Sequence, residues 1–399
     1  MQGMGYASAL GVLSRAIPVP DGPNAIPLTG FGYLASAGDM ASPADGVGAS
    51  GIHVFEVHGD HWNWKQSIPS LSPASLTLHP NQRVLYVANE VDEHEKLPRG
   101  TVEAYKIHAH DGSLAPLNRQ PLSLSGVKPR HVAVSPDGKY LVVAIHGGGA
   151  YNVLPIAFDG TLGRVSQILK EVGAGSHPDY QASAHPHTLM FDATGQHLLA
   201  TDEGCDRLSV FAFQNGRMMR TGQAFSQPVS GPGQLASHPS GELLYVSNTF
   251  DGSIDCYRWH ADVGRVEHQQ RVMTSPKTAP CEARYLAISS SGRFLYTAFA
   301  NEGISVWEID PVTGKISVIQ QGVLTNRSFR ALILSPDNRR LFVSDAHQHE
   351  LLSMPVHTGS GKLGTAFTIA ATPSPGKVVI KYVRLQNVDS AKMSLETIV

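Results

Sequence analysis

From Arg130 to His146 the chain reads RHVAVSPDGKYLVVAIH: an alternating run from His131 to Val134, a Ser-Pro-Asp-Gly turn, and a second apolar run from Tyr140 to Ala144. A period of two broken by turn residues predicts a β-hairpin. The pattern recurs as SLTLHPNQRVLYVANE, HPHTLMFDATGQHLLATDE, GPGQLASHPSGELLYVSNT, CEARYLAISSSGRFLYTAF and SFRALILSPDNRRLFVSDA. Its turn markers Pro80, Pro136, Ala193, Pro239, Ser290 and Pro336 fall about fifty residues apart, a spacing that suits propeller blades rather than helical repeats. Third strands are predicted at Thr101 to Ile107, Leu208 to Phe213, Ser253 to Trp259 and Ile304 to Ile309. Weaker fourth strands follow the turns at Asp111-Gly112, Asp159-Gly160 and Thr313-Gly314.

Six hairpins leave two ends over. GFGYLASAG, GIHVFEVHG and WNWKQSIP read as the second, third and fourth strands of a blade without its first, and the C-terminal VVIKYVRL reads as a lone strand. Joining them makes a seventh blade and removes the open edge. The expected fold is therefore an all-β, seven-bladed β-propeller of four-stranded blades over residues 30–384, with a lead-in at 1–29 and a tail at 385–399. No Trp-Asp dipeptide occurs, and the Gly-Gly doublet of Kelch repeats is confined to Gly147 to Gly149.

Composition narrows the partners. A net charge of −2 over 399 residues, with no Lys/Arg-rich run, gives no field for a phosphate backbone, so nucleic acid is not expected. No apolar stretch has membrane-spanning length, and the N-terminal patch lacks the basic start of a signal peptide. Three cysteines, Cys205, Cys256 and Cys281, are an odd number without CxxC spacing, which fits a reducing cytoplasm. The expected partner is a small molecule, bound by a monomer or weak oligomer.

In a propeller the first strand of each blade lines the channel and the second runs back beside it. Residues just before the first strand and just after the second therefore share one mouth, and the SPDG turns share the other face. Before the first strands stand Ala74-Ser75, Arg130-His131, His187-Thr188, Gly233-Gln234, Arg284-Tyr285 and Arg330-Ala331. After the second stand Asn89-Glu90, Ile145-His146, Asp202-Glu203, Asn248-Thr249, Phe299-Ala300 and Asp345-Ala346. So polar a mouth points to a small-molecule site. Its arginines suit an acid group or an oxyanion. His131 and His187 suit proton transfer near neutral pH.

These words, in this order and spacing, resemble the lactonase family of seven-bladed propellers, which includes bacterial 6-phosphogluconolactonases and fungal carboxy-muconate cyclases. The resemblance rests on LHPNQRVLYVANE, KPRHVAVSPDGKYLVVA with the LPIAFDGTLG that follows, HPHTLMFD with DEGCDRLSVF, and GRFLY. It implies hydrolysis of a sugar-acid lactone, or closure of a muconate to a lactone, with no cofactor and no obligatory metal. The residues it carries over are Asn89, Glu90, His131, His187, Asp202, Asp206, Arg207 and Arg330. The chain departs from the family at Gly233-Gln234, where an Arg-His pair is usual, at Thr249, where an acidic residue is expected, at Tyr285, where a Glu is expected, and at Ala300, where an Arg is expected.

The expected enzyme is a lactone hydrolase. His131, His187, Arg330 and Glu90 carry the catalysis, and Arg130, Asn89, Asp202, Arg207, Gln234, Asn248, Arg284 and Tyr285 bind substrate. A lactone-forming cycloisomerase and a catalytically silent propeller that binds a metabolite or protein are the alternatives. His185, His187 and Asp202 together offer zinc-type ligands as a lesser possibility. HGGG at His146 to Gly149 has no GxSxG partner, and GSGK at Gly359 to Lys362 lacks the rest of a P-loop, so both read as turns.

Overall fold

The computed structural model describes residues 29–36, 50–274, 284–300, 302–372 and 374–383. Cys281, the tail, and all of the lead-in but Thr29 lie outside the described residues. Twenty-eight strands form seven antiparallel four-stranded sheets, and no α-helix occurs among the described residues. None of their elements is a helix long and apolar enough to cross a membrane.

We number the blades in chain order: blade 1 spans 73–121, blade 2 129–170, blade 3 186–225, blade 4 232–273, blade 5 284–323 and blade 6 329–371. Blade 7 is made from both ends of the chain. Its innermost strand is the C-terminal Pro375–Val383, which pairs with Thr29–Ser36, followed outward by Gly51–His58 and His61–Pro69. The register sets Tyr33 against Val379 and Leu34 against Val378. The complementary fragments of the sequence thus meet as expected, and the ring closes without a free edge.

Each apolar cluster lies between neighbouring blades rather than within one. Val84, Tyr86 and Val102 of blade 1 pack on Val132, Leu141 and Val143 of blade 2. Equivalent clusters fill the other six junctions. This follows from strands whose two faces are both covered, so that their second strands read as nearly unbroken apolar runs. Polar fasteners add to the packing. In four second strands a buried tyrosine donates its hydroxyl proton to a glycine carbonyl in the next blade's outer turn: Tyr33 to Gly112, Tyr86 to Gly160, Tyr245 to Gly314 and Tyr296 to Gly361, at 2.8–3.0 Å. On the SPDG face, His79 and His238 bond through Nε2 to the carbonyls of Gly138 and Gly292 in the following blade, each at 3.0 Å. Those two histidines are structural.

One irregularity matters for the mouth. In six blades the pairing of the first and second strands slips at the start of the first strand, as between Pro129 and His131. A bulge there re-aims the side chains that follow it. Through it Ser75, His131, Thr188, Gln234, Ala331 and Lys377 become equivalent positions around the channel, with Tyr285 of the regular blade 5 beside them.

Candidate active site

The residues flanking the strands divide by the two-residue period of the strand. The last residue of each second strand turns back into its own blade. Asn89 Nδ2 donates to Ser70 Oγ at 2.7 Å and to Glu103 Oε2 at 3.3 Å, while its Oδ1 accepts from Thr101. Asp202 takes the backbone N–H groups of His185 and Gly204 on one oxygen and Arg207 on the other. Asn248 donates to Ser253 and Asp255. Arg207 is held between Asp202 and Glu171 at 2.9 and 2.5 Å. Asp206 accepts from Gln181 and from the N–H groups of Val229 and Gly231. The structure therefore does not bring Asn89, Asp202, Arg207, Asn248 and Asp206 to the mouth. They are buried framework groups bonded to neighbouring strands and loops, with Asn248 Oδ1 and Arg207 Nε left without a partner among the described residues.

The next residue along faces the mouth. Glu90 pairs with Arg130 at 3.2 Å, and both are partly exposed. Arg130 keeps a buried Nε–H with no partner. Glu203 is the most heavily engaged group: its Oε1 accepts from Thr249 Oγ1 at 2.6 Å and lies 3.6 Å from His187 Nε2, and its Oε2 lies 3.0 Å from His146 Nε2. Burial alone would raise the Glu203 carboxyl, but His187, His146 and Thr249 together bring it down to about 2. An ionised Glu203 fixes the His146 proton on Nε2, so the Nδ1 lone pair is left over. That Nδ1 makes no hydrogen bond among the described residues, and the ring is positioned by stacking on His185, with centroids 4.7 Å apart. The His185 Nδ1–H in turn donates to the His146 carbonyl at 3.0 Å.

His131 lines the channel and His187 stands beside Glu203 in the mouth layer, but neither is a free base. Burial lowers His187 to about 3, against the opposing pull of Glu203, and its Nδ1 meets Thr188 Oγ1 at 2.9 Å. Burial also lowers His131 to about 3, helped by Lys377 and His187. Its Nδ1 accepts the Leu189 N–H at 3.3 Å, so a neutral ring carries its proton on Nε2 and offers a donor. Ser75 accepts the Val132 N–H in the same inter-blade fashion.

Below this layer lies a cavity of about 180 Å³ in the channel, lined by Ser75, His131, Gln234, Tyr285, Ala331 and Lys377 among others. Gln234 and Tyr285, expected as substrate-binding residues, lie in this lining. Arg330 approaches Tyr285 and makes no hydrogen bond or ion pair among the described residues. The Arg284 side chain lies outside what is described. His185, His187 and Asp202 do not assemble as metal ligands, since Asp202 is committed to backbone N–H groups and Arg207. Among the described residues no three potential ligands converge.

The departures at Gly233 and Thr249 are coupled. A Cβ on Gly233 would lie 2.7 Å from Thr249 Oγ1 and 3.1 Å from Glu203 Oε1. The Thr249–Glu203 hydrogen bond therefore occupies the space into which a side chain at 233 would enter. Sequence reasoning places His146 and Glu203 at the mouth without a role, and omits Lys377. The only signal for Lys377 was its equivalence to His131, hidden in a strand separated from the rest of its blade.

Known proteins agree with this architecture. Residues 40–380 match the family described as Lactonase, 7-bladed beta-propeller. The 6-phosphogluconolactonase of Bacillus subtilis is 24% identical over 343 residues, covering 84% of this chain and 95% of that protein. The 6-phosphogluconolactonase of Serratia proteamaculans is 25% identical over 296 residues, covering 61% and 83%. The solved periplasmic gluconolactonase of Pseudomonas aeruginosa superposes with a TM-score of 0.77 at 24% identity, covering 88% of this chain and 98% of that one. With its ring of seven blades and a match spanning most of its length, the chain belongs to the seven-bladed β-propeller lactonase family.

Proposed function

We propose that the chain is a lactone hydrolase acting on a sugar-acid lactone at the mouth around Glu203. The observation that carries the reading is the Glu203–His146 pair: a buried carboxylate that fixes an imidazole's tautomer, beside an arginine with an unpartnered N–H. Family membership and the names of the relatives support the reaction class.

In this mechanism a water molecule attacks the lactone carbonyl while His146 Nδ1 takes its proton, and Glu203 stabilises the imidazolium that forms. The partly exposed guanidinium of Arg130 faces the developing oxyanion, where a fixed donor in a site of restricted water contributes most. The tetrahedral intermediate then expels the ring oxygen, which takes the proton back from His146, and the hydroxy acid leaves. His131 contributes an N–H donor rather than a base, and His187 supports Glu203. This moves the base from His131 or His187, where the residue types alone put it, to His146. Glu90 holds Arg130 in place.

Acid release from glucono-δ-lactone and 6-phosphogluconolactone, followed at constant pH with spontaneous hydrolysis subtracted, tests the reading. Turnover of either lactone that is lost in Glu203→Gln supports it. Wild-type protein that releases acid no faster than buffer refutes it.

A further inference from the structure

Lys377 belongs to no ion pair or hydrogen bond among the described residues, although it reaches into the channel from the innermost strand of blade 7. Its Nζ lies 4.5 Å from the centroid of the Tyr285 ring, a cation–π contact that holds it over the cavity. The groups sharing that cavity are neutral donors: the His131 Nε2–H, the Gln234 carboxamide, and the Ser75 hydroxyl, whose oxygen already accepts a backbone N–H and whose proton is left to give. Among the described residues no carboxylate lines the cavity, since Glu90 and Glu203 sit in the mouth layer, paired with Arg130 and with His146 and Thr249. Arg130 acts on Lys377 directly, while Tyr285 and His131 beside it also feel Arg330, Glu90, Glu203 and His187 from the mouth layer. Among the described residues Lys377 is the one ammonium lining the cavity, with Arg130 and Arg330 above it, and ringed there by neutral donors it has the complement of a singly charged acid group. A cavity of about 180 Å³ is far above the 10–15 Å³ or so that one water needs, so a short acid-bearing arm fits.

We infer that Lys377 is a specificity-determining residue that anchors a carboxylate carried on the substrate away from the reacting carbonyl. The site then favours lactones with a free carboxylate arm over neutral aldonolactones. The inference deepens the hydrolase reading, and only its turnover arm rests on that reading. A phosphate dianion would find a single cation here, which is why a carboxylate is the better match. Burial and Arg130 lower the Lys377 ammonium to about 8, so an arriving anion stabilises the charged form and draws a proton in.

The test compares glucono-δ-lactone, glucarolactone and 6-phosphogluconolactone. Wild type is expected to show a kcat/KM about 10- to 100-fold higher for glucarolactone than for the other two, the range of one charge-assisted hydrogen bond. Lys377→Met should bring the ratios to within about threefold, and Lys377→Arg should keep part of the preference. In parallel, calorimetry of glucarate with the full chain at pH 8.5 or so, in buffers of different ionisation enthalpy, should show proton uptake that Lys377→Met abolishes. Equal kcat/KM for the three lactones overturns the inference, as does a faster phosphorylated lactone, an equal loss on all three in Lys377→Met, or glucarate binding without proton uptake. If no lactone is hydrolysed but glucarate binds with uptake that depends on Lys377, the anchor stands and the hydrolase reading falls.

Discussion

Two arcs of the mouth are built from the same backbone positions and differ in how their charges are balanced. Over blades 1 to 4, Glu90 faces Arg130, and Glu203 gathers His146, His187 and Thr249. Over blades 5 to 7, the positions equivalent to Glu90 and Glu203 are Ala300 and Ala346, and the cations Arg330 and Lys377 stand without a carboxylate. The first arc is organised before anything binds, which is what a group that must move a proton requires. The second arc is incomplete until an anion arrives, which is what selection among ligands requires.

The largest effects should come from breaking the organised arc. His146→Ala or Glu203→Gln should lower kcat by roughly 10² to 10⁴, the usual range for a positioned base, with the fold intact by circular dichroism. Under the same conditions His131→Ala and His187→Ala should cost less than His146→Ala, and the reverse order would return the base to one of them. The framework beneath should respond in stability. Asp202→Ala leaves buried Arg207 with only Glu171, at a cost of about 3–5 kcal/mol in denaturant unfolding, typical of a broken buried pair.

The open arc should give intermediate effects. Arg330→Ala should change kcat/KM by about 10- to 100-fold, as for the loss of one charged hydrogen bond. A rise in KM alone would place it on a remote acid group, and a fall in kcat would place it on the oxyanion.

Acid should expose the cost of burying neutral imidazoles. His131 and His187 are lowered to about 3 in the folded chain, whereas unfolded histidine titrates near 6.5. Between those pH values the unfolded chain binds more protons, so stability falls as pH drops through that window, by at most about 1.4 kcal/mol per pH unit for each histidine. His131→Asn should make the slope shallower. The Glu203 contribution runs in the same direction over a lower window: a depressed carboxyl adds stability that is present above the unfolded value near 4.3 and lost as pH falls toward 2. The smallest expected effect is that of chelation and of Asp137→Ala in the turn on the far face, both of which should leave kcat within about twofold. Loss of turnover on chelation, restored by zinc, would bring His185 and His187 back as ligands.

Most of the fold was legible because strand period and turn chemistry repeat, and because two incomplete ends complement each other. The site was legible only to the accuracy of one residue. A strand's side chains alternate, so reading Asn89, Asp202 and Asn248 as mouth residues is a slip of one position that lands on the opposite side of the backbone. The bulge at the start of the first strands, which no turn residue announces, decides that Ser75, His131 and Gln234 share one level of the channel. Arg130 and Glu90 could be found from position and residue type alone. The role of His146 could not, since it depends on Glu203 from the neighbouring blade, 57 residues away.

The strand that closes the ring, Pro375–Val383, follows all the other described strands in the chain and so leaves the ribosome after them. Blades 1 to 6 can assemble while synthesis continues, but the channel lacks its lysine until Pro375–Val383 inserts beside Thr29–Ser36. A chain cut before Lys377, or one whose ends have not yet met, keeps Glu90, Arg130, His146 and Glu203 and leaves the selecting arc without its lysine. Such a chain would act as an indiscriminate form of the same protein, so ligand selectivity reports whether the circle has been completed.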